Sequence, residues 1–111
     1  MNGARIFHIT TRQEWDRARA KGEYTADSLA AEGFIHCSDD HQYRWVAQTR
    51  FRGRRDLVLL HIDPLQLQAD VRYENLEGGR ELFPHVYGPI PLDAVIVVTP
   101  LDAEGSPSGQ V

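Results

Sequence analysis

Gly33-Phe34-Ile35-His36-Cys37-Ser38, followed at once by Asp39-Asp40-His41, is the stretch around which the chain is organised. Its apolar residues predict a short buried strand. Ser38, with two acidic residues behind it, is typical of the N-cap and first turn of a helix. Side chains and backbone N–H groups converge on ligands where a strand feeds a helix, so His36 and Ser38 are candidate site residues. The alternative is that His36 is a core histidine with satisfied hydrogen bonds and that Ser38 is only a cap.

The same order of residue types occurs once before, in Ile6-Phe7-His8-Ile9-Thr10. Both stretches run apolar, apolar, histidine, apolar, hydroxyl, although the similarity is too short to be an internal repeat. The earlier stretch predicts the first strand because it is β-branched and aromatic. A helix should begin near Thr11, since Thr10 with Gln13, or Thr11 with Glu14, has the spacing of a capping box. The two histidines then occupy equivalent positions, each just before a predicted junction between a strand and a helix.

The remaining elements follow from hydrophobic patterns. The predicted starts are Arg5, Gly33, Asp56, Val71 and Ala94 for strands and Thr11 and Asp39 for helices, with the second helix ending near Arg52 and one or two helical turns over Ser28–Glu32. The run from Asp56 to Asp63 is apolar on both faces, as expected of a central strand. The pattern therefore predicts one mixed α+β core with two main helices.

Proline density marks the segment Glu81–Pro91. It carries prolines at 84, 89 and 91, and these fix backbone angles and remove hydrogen-bond donors. The segment is therefore expected to be a rigid edge strand or loop that holds Glu81, His85 and Tyr87 in a stiff frame.

Length and charge restrict the function classes. The chain has 111 residues and 41% hydrophobic residues, which fits one domain over residues 1–100 and a flexible C-terminal tail over residues 101–111. A net charge of −4 argues against general nucleic-acid binding, which needs clustered cations. The expected partner is a small nucleotide-like molecule, and the expected state is a monomer or weak dimer.

Cysteine content and hydropathy indicate the compartment. The single cysteine cannot form an internal disulfide, and no apolar run approaches the ~20 residues that span a bilayer. The N-terminal residues lack the apolar segment of a signal peptide. These features predict a cytoplasmic protein that does not enter a membrane.

Familiar catalytic motifs are missing. The five histidines and one cysteine show none of the local spacings of metal ligands, so no metal is expected. There is no nucleophile elbow, no Walker loop and no dinucleotide-binding glycine pattern. Cys37 could act as a nucleophile, but an alternating strand points it away from its neighbours, and buried cysteine is usually core filler.

What remains is a set of polar groups suited to a nucleotide. Imidazoles and hydroxyls bind sugars and phosphates, and an aromatic ring can stack on a base. A carboxylate can orient a ribose hydroxyl or stabilise a developing cation. The candidates are His8, Thr10, His36, Ser38, Glu81, His85 and Tyr87. The alternative is that His85 and Tyr87 only pack a turn and that Glu81 is solvated.

Four stretches carry a resemblance to a known family over most of the chain, from about Arg5 to Thr99. They are Ile6-Phe7-His8-Ile9-Thr10 followed by Trp15, the stretch Gly33–Ser38, the run from Arg54 to Ile62 with its Asp63-Pro64 ending, and Glu81-Leu82-Phe83-Pro84-His85-Val86-Tyr87-Gly88-Pro89-Ile90. In this order the chain resembles the small bacterial proteins of Domain of Unknown Function family 952. The resemblance implies an ADP-ribosyltransferase-like fold, in which two small steeply crossed mixed sheets cradle NAD.

The resemblance also implies roles for particular residues. His8 resembles the first-strand histidine that holds the NAD ribose in diphtheria-toxin-like transferases, and Tyr87 or Tyr73 could flank the nicotinamide. Glu81 and Glu74 are the available glutamates. Together with the polar groups named above, these residues give the candidates His36, Glu81 and His85 for catalysis and His8, Thr10, Ser38, Tyr73 and Tyr87 for the cofactor.

Two hypotheses stay open. The first is a nucleotide-binding domain, with NAD as the candidate cofactor, that transfers ADP-ribosyl or related glycosyl groups. The second is a non-catalytic module that binds a small molecule or a protein and keeps the fold without transferase chemistry.

Overall fold

The computed structural model describes residues 4–76 and 78–102. They form three α-helices, two single turns of 3-10 helix and eight strands. The helices are α1 (Arg12–Lys21), α2 (Asp27–Glu32) and α3 (Tyr43–Arg50), and the 3-10 turns are Pro64–Gln66 and Leu92–Ala94. The strands are β1 (Ile6–Thr11), β2 (Glu23–Tyr24), β3 (Ile35–His36), β4 (Leu57–Ile62), β5 (Val71–Glu74), β6 (Phe83–Val86), β7 (Ile90–Pro91) and β8 (Val95–Leu101). The chain is a single α+β unit, as its pattern predicts.

The strands pair in three sheets. Two sheets have three strands, in the orders β1-β4-β8 and β3-β6-β5, and the third pairs only β2 with β7. Every pair among the described strands is antiparallel, so the prediction of mixed sheets was wrong. Parallel neighbours need long crossover connections, whereas antiparallel ones such as β5 and β6 can be joined by a short link along the same edge.

One pair of backbone hydrogen bonds joins the two larger sheets. Phe7 N–H donates to the carbonyl of Ser38, and Ser38 N–H donates to the carbonyl of Phe7, each at 2.7 Å. The free edge of β1 is therefore occupied by the residues that follow β3. This pairing brings His8 of β1 next to His36 of β3.

The core lies on both faces of the β1-β4-β8 sheet. β4 alternates between the two faces, because Val58, Leu60 and Ile62 belong to one apolar cluster and Leu57 and Leu59 belong to the other. The first cluster packs against α1 and the second against α3. The prediction of a central strand that is apolar on both faces is confirmed.

Helix α1 begins and ends as its sequence indicates. Thr11 is the N-cap, and its Oγ1 accepts a hydrogen bond from Glu14 N–H at 3.1 Å, so the second of the two capping pairs is used. Gly22 follows the last turn with φ +101°, a conformation that favours glycine. The short helix predicted over Ser28–Glu32 is present as α2.

Helix α3 begins later than predicted. Its N-cap is Gln42 and its first residue is Tyr43, so Asp39 does not start the helix and Ser38 is not its cap. The reason is that the backbone of Ser38 pairs with Phe7, and residues 39–42 form a turn closed by a hydrogen bond from Gln42 N–H to the Asp39 carbonyl at 3.0 Å.

Part of the proline-rich segment lies inside a sheet and not at its edge. Residues Phe83–Val86 form β6, the central strand of its sheet, with Pro84 inside it. A proline lacks only the N–H donor, and the Pro84 carbonyl still accepts from Cys37 N–H at 3.0 Å. The expectation of an edge strand or loop was therefore wrong for these four residues.

The last described strand enters the predicted tail. Leu101 is 2% exposed and pairs with Leu57, so it belongs to the core and not to the tail. Residues 103–111 of that tail lie outside the described residues. No described helix has the length and apolar character needed to cross a bilayer.

Candidate functional site

A cleft of about 730 Å³ lies where β1, β3 and α3 meet the β5–β6 hairpin. It is lined by six of the eight site residues predicted from the sequence: His8, Thr10, His36, Ser38, Glu81 and His85. The three histidines thus line one concave surface, and His8 and His36, which were predicted to hold equivalent positions, lie next to each other. Their roles in binding or catalysis stay predictions.

The relation of His36 to His85 follows from strand register. The two residues are directly opposite each other on β3 and β6, and their ring centroids are 5.4 Å apart with nearly perpendicular planes. Phe34 supports both rings, stacking on His85 at 4.2 Å and meeting the His36 ring edge-on at 4.8 Å. The ladder and one aromatic ring therefore fix the positions of both imidazoles.

His8 has its hydrogen bonds satisfied inside the protein. Its Nδ1 lies 2.5 Å from the carbonyl of His36, and its Nε2 lies 2.8 Å from the Tyr24 hydroxyl. That hydroxyl also lies 3.0 Å from Thr10 Oγ1. A carbonyl can only accept, so Nδ1 carries the hydrogen, and Nε2 of the neutral ring accepts from Tyr24.

Burial keeps the His8 ring neutral. Desolvation lowers its pKa from 6.5 to about 4, against the opposing effect of the His36 carbonyl. Both ring nitrogens of His8 form hydrogen bonds, and the bond from Nδ1 holds the backbone carbonyl of His36 in place. A direct contact with a ribose, which the resemblance implies, would require Tyr24 to give up its hydrogen bond.

His85 has a carboxylate partner. Its Nδ1 lies 2.8 Å from Glu74 Oε1, and the Tyr87 hydroxyl donates to the same oxygen at 2.6 Å. These two hydrogen bonds hold the pKa of Glu74 below its ordinary value, so the carboxylate stays ionised at neutral pH. Because Nδ1 donates to Glu74, the His85 hydrogen is on Nδ1, and Nε2 is left to accept.

The Nε2 atom of His85 is open to the cleft. Among the described residues it has no hydrogen-bond partner, although His85 is only 4% exposed. No fully buried side-chain nitrogen or oxygen in the described part of the chain lacks a partner, so this nitrogen keeps contact with solvent. A ligand in the cleft can reach it.

His36 is the more accessible of the two facing imidazoles. Its side chain is 41% exposed, and its Nε2 lies 3.2 Å from Glu32 Oε1 at the end of α2. Glu32 itself does not line the cleft. A positive charge on His36 would have a carboxylate counter-ion nearby.

Glu81 reaches the cleft from the loop before β6. Gln42 is buried and donates from Nε2 to Glu81 Oε1 at 2.7 Å and to the Leu82 carbonyl at 2.9 Å. The Oε1 of Gln42 accepts from Asp39 N–H at 2.8 Å. Gln42 therefore ties the turn before α3 to the loop that carries Glu81.

Thr10 and Ser38 are largely buried residues in the wall of the cleft. Thr10 is engaged with Tyr24 as described, and the Ser38 backbone is held by Phe7. Within the described residues the Ser38 hydroxyl has no side-chain partner, which leaves it accessible from the cleft.

The two predicted tyrosines do not line the cleft. Tyr73 lines a second cavity of about 590 Å³ and donates its hydroxyl to Asp39 Oδ1 at 2.7 Å. Neighbours in a strand point to opposite faces, which explains why Tyr73 is directed away from Glu74. Tyr87 packs beside Phe34 under the Arg72 guanidinium, and its hydroxyl donates to Glu74. The role of Tyr87 or Tyr73 beside a nicotinamide, which the resemblance implies, stays a prediction.

One end of the cleft is apolar. Trp45 of α3 is 53% exposed, and its ring centroid lies 6.4 Å from that of Phe83. Leu76 of the β5–β6 hairpin is also exposed and lines the same end. The cleft thus has aromatic and aliphatic groups at one end and imidazoles at the other.

Sequence reasoning missed Trp45 and Gln42 as site residues and named Glu74 only as an alternative to Glu81. A period-two pattern through β5 could have indicated that Glu74 and Arg72 share a face. Nothing in the sequence marks Gln42, because its role depends on contacts with residues about 40 positions away. In the described part of the chain no three His, Cys, Asp or Glu side chains converge in a metal-binding group.

The family described as "Protein of unknown function (DUF952)" matches residues 9–98. The chain belongs to the DUF952 family. The match covers every predicted site residue except His8, which lies just before it.

Solved structures of another protein are similar to this DUF952 domain. The crystal structure of protein CC0527 from Caulobacter crescentus shares 37% identity with a TM-score of 0.78, and the match covers 94% of this chain and 93% of that chain. The solution NMR structure of CC0527 gives 37% identity, a TM-score of 0.76 and coverage of 94% and 91%. No curated protein matches this DUF952 domain.

Proposed function

We propose that the cleft binds NAD or a related nucleotide on an ADP-ribosyltransferase-like fold. The observation that carries the proposal is that the imidazoles of His36 and His85 lie side by side at one end of a 730 Å³ cleft whose other end is aromatic. A nucleotide has a flat ring at one end and hydroxyl and phosphate oxygens at the other. Its two halves therefore match the two ends of the cleft.

The volume and the polar groups support a ligand of this size. Pockets for small molecules usually have volumes of roughly 300–1,000 Å³ and a few converging polar groups. Here the accessible groups are His85 Nε2, the His36 ring, the Ser38 hydroxyl and the Glu81 carboxylate. Imidazole and hydroxyl groups bond to ribose hydroxyls and phosphates, and the exposed ring of Trp45 offers a stacking face.

Transferase chemistry would need a carboxylate near the ribose. Glu81 is the candidate, because it lines the cleft and is held by Gln42, whereas Glu74 is engaged by His85 and Tyr87. In this proposal Glu81 stabilises the cation that develops as nicotinamide leaves, and NAD is the cofactor.

A non-catalytic binding module is the second candidate. The observation that favours it is the exposed apolar end of the cleft, where Trp45 and Leu76 are accessible to solvent. Such surfaces are typical of binding sites for ligands or peptides.

Ligand binding is tested by thermal unfolding with NAD, ADP-ribose and AMP. A ligand at 100 times its Kd should stabilise the protein by about 2.7 kcal/mol. The variant His36→Gln should weaken the shift while leaving the unliganded stability nearly unchanged, because this side chain is 41% exposed. His61→Gln is the matched control, since His61 lines the other cavity.

Two results would contradict the proposal. One is the absence of a shift with all three nucleotides at millimolar concentration. The other is an equal loss of the shift in His36→Gln and in His61→Gln, because a ligand in the cleft cannot contact His61.

A further inference from the structure

Each of the two facing histidines has a carboxylate behind it. His85 is paired with Glu74 at 2.8 Å, and His36 is paired with Glu32 at 3.2 Å. The two rings lie 5.4 Å apart on neighbouring strands and line the same cleft. One bound phosphate group can therefore contact both rings.

The surroundings of His85 make it a proton acceptor. Its Nδ1–H donates to Glu74, so the lone pair of Nε2 is directed away from Glu74, and His85 lines the cleft. When Nε2 takes up a proton, the Glu74 carboxylate stabilises the imidazolium through a charge-assisted hydrogen bond. Tyr87 holds Glu74 in place by donating to the same oxygen.

The surroundings of His36 suit a proton donor. Its ring is partly exposed, so it exchanges protons with solvent, and Glu32 provides a counter-ion for the charged form. His36 and His85 thus differ in burial and in hydrogen bonding, as is expected of two groups with opposite roles.

We infer that His36 and His85 form an acid–base pair that hydrolyses phosphodiesters of nucleotides. The inference rests on the proposed function, because it takes a nucleotide as the ligand of the cleft. Neutral His85 removes a proton from water, and the water oxygen forms a bond to phosphorus. The bond from phosphorus to the ester oxygen breaks, and that oxygen keeps the electron pair and takes a proton from charged His36. The products are a phosphate monoester and an alcohol, and both rings return to their starting states through solvent.

The chemistry of the leaving group favours a phosphodiester over the bond between ribose and nicotinamide. Nicotinamide leaves NAD as a neutral molecule and needs no proton donor. A ribose oxygen leaving phosphorus would be an alkoxide, and the attacking water must lose a proton. A pair of imidazoles serves the second reaction and has no use as a pair in the first.

The test compares two substrates that differ in their leaving group. They are 2′,3′-cyclic AMP, whose leaving group is a ribose oxygen, and the p-nitrophenyl ester of thymidine 5′-phosphate, whose phenolate leaves without a proton. The protein should hydrolyse both. His85→Gln should lower kcat for both by about 100-fold or more, the usual contribution of a general base. His36→Gln should lower kcat by about 100-fold or more for the cyclic nucleotide but by less than about 10-fold for the nitrophenyl ester.

A second pair of variants tests Glu74 as a positioning residue. Glu74→Gln keeps an oxygen that accepts from Nδ1–H and should keep more activity than Glu74→Ala, with the difference in kcat and not in KM. His61→Gln, prepared in the same way, should hydrolyse both substrates at the rate of the unaltered protein. Thermal unfolding of every variant identifies any that fails to fold, and His36→Gln, with its exposed side chain, keeps the test valid if His85→Gln does not fold.

Failure of the pair and failure of the proposed function give different results. If AMP raises the unfolding temperature but neither ester is hydrolysed, the acid–base pair is wrong and nucleotide binding stands. If there is neither a shift nor hydrolysis, both are wrong. An equal loss of kcat on the two substrates in His36→Gln also overturns the inference, because it removes the proton donor role.

Discussion

At the scale of single residues, burial in the fold keeps the His8 ring neutral. The pKa of its ring is lowered to about 4 by burial, whereas the unfolded chain has the ordinary value of 6.5. As the pH falls, the unfolded chain therefore binds a proton before the folded chain does. The stability that neutral His8 contributes is complete above pH 6.5 and is lost as the pH falls from 6.5 towards about 4.

The lower pKa of His8 in the folded chain than in the unfolded chain predicts a loss of stability in mild acid. At about pH 5 the proton bound by the unfolded chain should lower the free energy of unfolding by about 2 kcal/mol relative to neutral pH. In His8→Gln the titrating ring is missing, so the fall between neutral pH and about pH 5 should be smaller by that amount. Urea unfolding at several pH values measures both. Equal pH dependence in the two proteins would contradict the assignment of His8 as a buried neutral ring.

Trp45 provides a direct test of which end of the cleft takes the base. The other tryptophan, Trp15, is 8% exposed and lies in the core, so only Trp45 can stack on a ligand. Stacking of a base contributes about 1–3 kcal/mol, so Trp45→Ala should raise the Kd for AMP by about 5-fold to 150-fold.

Tryptophan fluorescence measures this contact. AMP should quench the emission of the unaltered protein, and Trp45→Phe, which keeps only Trp15, should show no quenching. Quenching that persists in Trp45→Phe would place the base away from α3.

The sequence was informative about residues whose role depends on near neighbours. Thr11 and Glu14 are three positions apart, and their capping contact could be predicted. The partner of His85 could not, because Glu74 meets it only through the pairing of β5 with β6. Tyr24 was missed for the same reason, since its hydroxyl meets His8 across 16 positions of the chain.

At the scale of elements, helix α1 depends on local signals and is expected to respond to a single change at its cap. The Thr11 hydroxyl accepts from one of the N–H groups that have no partner within the helix. Thr11→Ala should destabilise the protein by about 1 kcal/mol and lower its Tm by roughly 4–8 °C. Calorimetry measures the change, and Thr11→Ser, which keeps the hydroxyl, should restore most of the stability. If Thr11→Ser has the same lowered Tm as Thr11→Ala, loss of the capping hydroxyl is not the cause of the destabilisation.

Helix α3 shows where local signals fail. Ser38 followed by two acids is a good helix start, but its backbone forms two hydrogen bonds with Phe7, 31 positions away in the chain. Those bonds hold Ser38 in a bridge, and the helix begins only after a further turn. The local signal of Pro84 in β6 also fails. The other three residues of β6 pair with β5, so the strand tolerates one missing N–H donor.

At the scale of the whole molecule, the class of fold could be predicted and the strand directions could not. Apolar patterns give the number and type of elements, and β4 showed its central position by being apolar on both faces. Strand direction depends on which edges meet, and the pairing of β1 with the residues after β3 leaves no signal in either segment. The cleft lies where β1 meets the residues after β3. The sequence could therefore predict which residues line the cleft but not its shape.

In the β5–β6 hairpin, the connecting loop and the strands contribute different parts of the cleft. Its strands hold Glu74 and His85, while its connecting loop supplies Asn75, Leu76, Gly79 and Arg80 to the wall of the cleft. Insertions or replacements in the loop would alter the shape presented to a ligand without disturbing strand register. A change confined to the loop would therefore alter the wall of the cleft while leaving the pairing of Glu74 with His85 as it is.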